Sequence, residues 1–296
     1  MLSIGVIGLG IMGRRCALKL KEHGFQIAGY DAFPAASRKA AEEGIALLPT
    51  PAAVASASDV VIMFVPGPEE SISVGLGRDG LIEGISEAKI VLNMSTVDPA
   101  TNERLAAAFA EKKAYVLDSP VLGSPEGIGH WAFAIGGEEE AYARIRHVLL
   151  PLCGSEDRIF RTGGIGSANK LKLLNNMLLG TINAGISEIF ALAEHMGLSP
   201  QTLFRAAKAC KGRVLSLAYE QFADRTVRDE YEDPIFSLAM LIKDNKLCLD
   251  MARANNAPLI VATAVDYLHR IAAAHPGYGS LDSSIAWKSV KDSWEK

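Results

Sequence analysis

Cysteine is scarce in this 296-residue sequence: Cys16, Cys153, Cys210 and Cys248 lie far apart and none forms a CxxC pair. That excludes a disulfide framework and a thiolate metal centre, and it points to free thiols in a reducing, cytoplasmic setting. His23, His130, His147, His195, His269 and His275 show no ligand spacing, so no metal site is expected. Positive charge is not in excess: 30 Lys and Arg stand against 34 Asp and Glu, for a net charge of −4, which leaves no footprint for nucleic acid. The longest apolar stretches are interrupted by Asn, Lys or Glu, so no membrane span is expected. The first strand pattern begins within a few residues of Met1, which leaves no room for a signal or transit peptide. Repeats and low-complexity segments are absent too. What remains is the composition of an ordinary globular protein, 49% apolar and 22% charged, long enough for one large domain or two smaller ones.

The apolar run SIGVI at 3–7 leads into Gly8, Gly10 and Gly13 and then into the helical pattern Ala17, Leu18, Leu20. Strand, glycine turn and helix is the setting a dinucleotide fingerprint requires. Gly8 makes the tight turn, Gly10 admits a pyrophosphate to the helix N-terminus, and Gly13 allows helix and strand to pack closely. The next strand, 26–30, ends in Asp31, about twenty residues beyond the loop. A carboxylate there accepts from both ribose hydroxyls and repels a 2′-phosphate, which favours NAD, although Arg38 nearby softens the preference and NADP stays open.

Strand and helix then alternate. Helices are predicted at 35–43, 51–57, 69–76, 99–112 and 138–149, and strands at 45–47, 59–65, 89–93, 114–118, 131–135 and 158–162. This pattern implies a doubly wound parallel sheet covered on both faces, with ligands beyond the carboxyl ends of the strands. Those ends are the loops that begin at Val65 and Pro66, at Asn93 to Thr96, and at Asp118 to Gly123. The first domain is expected to finish at residue 163. From 164 onward only helices are predicted: one of about thirty residues over 167–196, then 200–210, a segment around 214–222, 235–255, 259–274 and a last one near 282–294. The expected fold is therefore α/β, a Rossmann domain (1–163) joined by the long helix to an all-α domain (164–296).

The long helix reads as buried nearly all round, yet Lys172, Asn175, Asn176 and Asn183 share one face within about 100° of arc. A lysine on a core helix is costly unless paired or neutralised, which makes it a candidate for chemistry. The plain alternative is a lysine that snorkels from a helix end, as Lys170 does. Glu138, Glu139 and Glu140 suit a helix start, and Trp131, Trp287 and Trp294 are candidates for an interface.

GLGIMG at 8–13, NMSTVDP at 93–99, DSPVLGS at 118–124, TGGIGSANKLKLLNN at 162–176 and FSLAMLIKD at 236–244, in this order and spacing, resemble the β-hydroxyacid dehydrogenase family, the 3-hydroxyisobutyrate dehydrogenase and tartronate semialdehyde reductase type. The resemblance covers essentially the whole chain. It implies an NAD(P)-dependent oxidoreductase that moves a hydride between nicotinamide and a small 3-hydroxyacid or its semialdehyde, assembled as a homodimer or homotetramer. It assigns Lys172 as general acid/base and Asn175 and Asn176 to the substrate. Thr96 falls beside the nicotinamide, Leu122, Gly123 and Ser124 around the substrate's acid group, and Phe236 and Asp244 at the closing side. The cofactor set is Gly8, Leu9, Gly10, Ile11, Met12, Gly13, Asp31, Val65, Pro66, Thr96 and Lys243.

Three positions depart from the family's pattern, which has Asp at Asn93, Ser-Gly-Gly at Leu122, Gly123 and Ser124, and Gly at Ala168. Leu122 removes a hydroxyl from the carboxylate loop, so a substrate bulkier or less polar than hydroxyisobutyrate, or an acid group held differently, is expected. Phosphogluconate dehydrogenases share the architecture but carry His where Asn175 stands, imine reductases lack the lysine, and a non-catalytic dinucleotide-binding protein is the remaining alternative.

Overall fold

The computed structural model describes residues 2–209 and 216–294; Cys210 and the start of the segment expected around 214–222 lie outside them. The chain divides into two compact units, Met1–Lys172 and Leu173–Lys296, rather than at 163/164. The division falls inside the long helix because the first turns of that helix are hydrogen-bonded to the strand ends of the first unit, as described below.

The first unit is built on a sheet of β1 (Ser3–Ile7), β2 (Gln26–Tyr30), β3 (Ala46–Leu47), β4 (Val60–Met63), β5 (Ile90–Asn93), β6 (Tyr115–Asp118), β7 (Val121–Leu122), β8 (Ala132–Gly136) and β9 (Ile159–Gly163). Its order is β3-β2-β1-β4-β5-β6-β8-β7, with β9 beside β8. The first six strands run parallel, but β8 pairs antiparallel with both β6 and β7, so the sheet is mixed and not wholly parallel. A parallel return needs a helical crossover. Between β6 and β8 the chain forms only β7 and one short 3-10 turn, Pro125–Gly127, so it doubles back.

Alternation in the central strands fills two cores. Ile4, Val6, Val60, Ile62, Ile90 and Leu92 point to one face and meet Leu20, Phe133 and Val148. Ile7, Val61, Met63 and Val91 point to the other and meet Val54, Leu105 and Phe109. The helix Glu139–Cys153 runs past the expected end at 149 despite Pro151 in its last turn, and Gly154 ends it in the left-handed region.

The second unit is helical: the rest of Ser167–His195, then Pro200–Ala209, Leu217–Arg228, Leu238–Ala254, Ile260–Ala273 and Ala286–Trp294. Its cores form around Leu173, Met177 and Leu247, around Leu238, Ala272 and Ile285, and around Phe190, Phe204 and Phe222. Ser167–His195, 29 residues long with an 18-residue window of mean hydropathy 1.2, is long and apolar enough to cross a membrane by length and composition, although 56% of that window is buried inside the protein. It is not buried all round: Leu174, Leu178, Ile189 and Leu192 are 42–66% exposed. Its covered side is mixed, with Asn169, Asn176, Asn183 and Ser187 buried alongside Leu173, Met177 and Phe190.

Candidate active site

The glycine loop joins β1 to the helix Ile11–Glu22. Gly8 has φ +85°, and a side chain on it would strike the Phe64 carbonyl; one on Gly13 would strike the Gly8 carbonyl. Both positions therefore accept only glycine. At Gly10 a Cβ would meet nothing within 4 Å, so this glycine leaves open space at a helix start that no side chain caps. Backbone N–H groups left open at a helix start, with the positive end of the macrodipole, suit the pyrophosphate of a dinucleotide.

Asp31, directly after β2, accepts from the Leu9 N–H through Oδ2 at 2.6 Å and from the Phe33 N–H through Oδ1 at 2.7 Å. Its carboxylate is thereby fixed to the glycine loop it is expected to serve. Ile11 and Phe33 are both more than half exposed beside it.

The ends of β4 and β5 are joined side by side. The Val65 N–H donates to Ser95 Oγ at 2.9 Å, and the Ser95 N–H to Asn93 Oδ1 at 3.1 Å. Asn93 Nδ2 donates to Asn102 Oδ1 at 2.8 Å. Asn93 thus acts inside the first unit, fully buried, as a brace for the loop that carries Thr96. On the far side of Thr96, the Val97 N–H donates to Asn169 Oδ1 at 3.0 Å. Asp118, at the end of β6 and with no exposed surface, accepts from the N–H of Gly166 at 2.8 Å and of Asn169 at 2.9 Å. Burial pushes the Asp118 carboxyl above the usual carboxylate range, and these N–H groups oppose the shift. Lys172 is half-buried, one turn beyond Asn169 on the same helix.

Leu122 closes β7, and Gly123 and Ser124 follow. A Cβ on Gly123 would come within 2.7 Å of Trp131 Cδ1, and Trp131 Nε1 donates to the Ser124 carbonyl at 2.7 Å. Trp131 is therefore no interface residue: it is wholly buried in the first unit and shapes this loop from behind. Trp287 is likewise internal to the helical unit, donating to Tyr231 Oη at 2.7 Å.

In the second unit, Asn176 Nδ2 donates to Asp244 Oδ2 at 2.6 Å, and Lys243 Nζ lies 3.0 Å from Asp244 Oδ1. Asp244 is buried and so orients an amide and an ammonium rather than meeting an acidic substrate itself. Asn175 is exposed and donates to Asn176 Oδ1 at 3.3 Å. Phe236 is half-buried, its carbonyl accepting from the Ser283 N–H at 2.9 Å. Asn183, grouped with Lys172 on the sequence, instead accepts from His269 Nε2 at 3.0 Å. Asp118, Asn169 and Ser95 were not among the residues singled out. The available signal was an Asn in the first turn of the helix, three positions before the lysine, where Asx residues act as caps. No group of three or more His, Cys, Asp and Glu able to hold a metal exists among the described residues.

Two family models account for the chain. Residues 3–162 match the NAD binding domain of 6-phosphogluconate dehydrogenase, and 166–289 match the NAD-binding region of NADP-dependent 3-hydroxyisobutyrate dehydrogenase. The chain belongs to the β-hydroxyacid dehydrogenase family. Mitochondrial 3-hydroxyisobutyrate dehydrogenase of Rattus norvegicus is 28% identical over 98% of this chain and 87% of its own length. L-threonate dehydrogenase of Cupriavidus necator is 29% identical over 97% and 95%. Among solved structures, the 3-hydroxyisobutyrate dehydrogenase of Mycobacterium tuberculosis, determined with L-serine, superposes with a TM-score of 0.85 at 27% identity over 98% and 99% of the two chains. As a β-hydroxyacid dehydrogenase the protein is an NAD(P)-dependent oxidoreductase of hydroxyacids.

Proposed function

We propose that Lys172 is the general acid/base for hydride transfer between NAD and a small 3-hydroxyacid. The observation that carries this reading is the attachment of its helix: the turn that precedes Lys172 is hydrogen-bonded to Val97, beside Thr96, and to Asp118, at two strand ends of the dinucleotide-binding sheet. The nicotinamide supplies the hydride acceptor at its C4. In the oxidative direction the carbinol carbon loses a hydride and its hydroxyl proton passes to Lys172 Nζ, which leaves a carbonyl; reduction returns both. Thr96 lies beside the nicotinamide, Asn175 and Asn176 hold the substrate, Lys243 touches the cofactor, and the backbone N–H groups at Gly123 and Ser124 take the acid group. Leu122 presents a methyl-lined wall where the family carries a hydroxyl, which favours a substrate bulkier or less polar than hydroxyisobutyrate.

The pinned Asp31 carboxylate supports NAD over NADP. The exposed apolar stripe of the long helix, and the exposed Val261, Tyr267 and Ile271 on the wall of a groove of about 550 Å³ in the helical unit, support a homodimer in which a second copy covers these residues.

Lys172→Ala is the test. Turnover should fall by about 10²–10⁴-fold while NAD affinity, read by fluorescence titration, stays within about threefold. A variant with near-normal kcat would remove Lys172 from the reaction.

A further inference from the structure

The long helix starts at Ser167, and the residue before it is glycine, with no side chain to cap the first turn. The cap comes from the sheet instead, from Asp118, whose two oxygens take the N–H groups of Gly166 and Asn169. Room for it has been kept: a Cβ on Gly136 would lie 2.2 Å from Asp118 Oδ1. Gly166 itself has φ +83°, and a Cβ there would press on Pro99 at 3.0–3.3 Å. A carboxylate removed from water is an expensive cap, and a serine or threonine on the helix itself would satisfy one of these donors more cheaply. What the local residue would lack is any bond to the end of β6.

Asn169 makes the second attachment. Its side chain has no exposed surface, Oδ1 takes the Val97 N–H, and Nδ2 has no hydrogen-bond partner. A buried amide with its donors unused is destabilising, so packing alone does not account for Asn here. On the strand side Thr96 is bracketed, since Ser95 is bound to Asn93 and to the Val65 N–H while Val97 is bound to Asn169. On the helix side Lys172 follows Asn169 by three residues and shares its face. One short path therefore runs from Thr96 through Val97 and Asn169 to Lys172, and Asp118 clamps it against the end of β6.

We propose that Asn169 and Asp118 are positioning residues that set the distance between the lysine and the loop of Thr96. The inference rests on the reading of Lys172 given above. Neither residue touches the reacting atoms. Both act by holding the lysine's turn in register with the strand ends, where a misplacement of about 1 Å costs on the order of 10² in rate.

The test uses the full-length enzyme, NAD, and the best acid from a panel of C3 to C6 3-hydroxyacids, protiated and deuterated at the carbinol carbon. Asn169→Leu removes the acceptor for Val97 at similar volume. It should lower kcat about 30–100-fold, leave NAD affinity within about threefold, and raise the deuterium isotope effect on kcat as the transfer step becomes limiting. Asn169→Gln keeps an amide oxygen as acceptor without adding a charge beside the buried Asp118, and should retain clearly more kcat than Asn169→Leu. Asp118→Asn turns one capping oxygen into a donor that faces an N–H, and should lower kcat without changing NAD affinity; it serves as the probe if Asn169→Leu does not fold. Thr226→Val, which removes a buried hydrogen bond in the helical unit, controls for general loss of stability and should leave kcat unchanged.

The proposal is overturned if Asn169→Leu, or Asp118→Asn where the former does not fold, keeps kcat within about threefold, or if Asn169→Gln loses as much as Asn169→Leu. Lys172→Ala separates the two claims: normal turnover there removes the acid/base reading itself, whereas an inactive Lys172→Ala beside a normal Asn169→Leu removes only the clamp.

Discussion

A carboxylate at the end of a strand serves a cofactor only if it is held in place without losing all its lone pairs. Asp31 meets both conditions, since each oxygen accepts one backbone N–H, from Leu9 or from Phe33, and keeps capacity for a ribose hydroxyl. Its negative charge also repels a 2′-phosphate. Asp31→Ala should therefore raise the NADP:NAD ratio of kcat/KM by about 10–100-fold, mainly through lost NAD affinity, because the Leu9 N–H loses its partner as well. Steady-state kinetics with both cofactors check this; an unchanged ratio would mean that discrimination resides elsewhere. Asp31 was legible in the sequence because its distance from a glycine loop is a local, countable feature. Asp118 and Asn169 were not, because the value of each lies in a partner 48 to 72 positions away that spacing does not reveal.

At the scale of the element, the long helix has an unusual distribution of sides. Leu174, Leu178, Ile189 and Leu192 fall within about 60° of arc and are exposed, whereas Asn169, Asn176 and Asn183 lie on the opposite side and are buried. Periodicity identified the polar stripe, but burial nearly all round was expected, because a helix this apolar carries nothing local that marks which of its leucines and isoleucines stay exposed. The buried amides among the core residues of that side are explained by their partners: Asp118 and Val97 near the start, Asp244 farther on, and then His269.

His269 carries a prediction of its own. Its Nδ1 faces Asn245 Nδ2 at 3.1 Å and its Nε2–H donates to Asn183, so the neutral ring ties three helices together. Full burial pushes its pKa down to about 4, from 6.5 in the unfolded chain. As pH falls below about 6.5 the unfolded state gains a proton that the folded state refuses. The contribution present at neutral pH is then lost, about 2 kcal/mol by pH 5 and about 3 kcal/mol by pH 4. His269→Gln should be less stable at pH 7 yet lose less between pH 7 and pH 5 in urea titrations; an equal loss in both proteins would contradict the assignment. On the sequence His269 was one more histidine without ligand spacing, and only its burial distinguishes it.

For the molecule as a whole, the division into a dinucleotide-binding unit and a helical unit was legible, because a switch from alternating strands and helices to helices alone changes the pattern over a hundred residues. The antiparallel turn at β7 and β8 was not, since a two-residue strand carries no periodicity. Nor was the join inside the long helix, which depends on hydrogen bonds rather than on composition. The exposed apolar side chains of the helical unit, Leu178, Ile189, Val261, Tyr267 and Ile271, belong to the same scale. Sedimentation equilibrium at micromolar concentration should give at least a dimer. Val261→Glu, at a position 64% exposed in the single chain, should weaken that dimer about 10–100-fold without lowering the stability of the fold. A monomer at all concentrations would contradict the homodimer.

The most direct measurement is NADH formation by the wild-type enzyme against C3 to C6 hydroxyacids, with the corresponding amines beside them. The account predicts turnover with 3-hydroxyacids, best with a member bulkier or less polar than 3-hydroxyisobutyrate because of Leu122, and none with amines. NAD binding without turnover of any 3-hydroxyacid, or oxidation of an amine in their place, would contradict it.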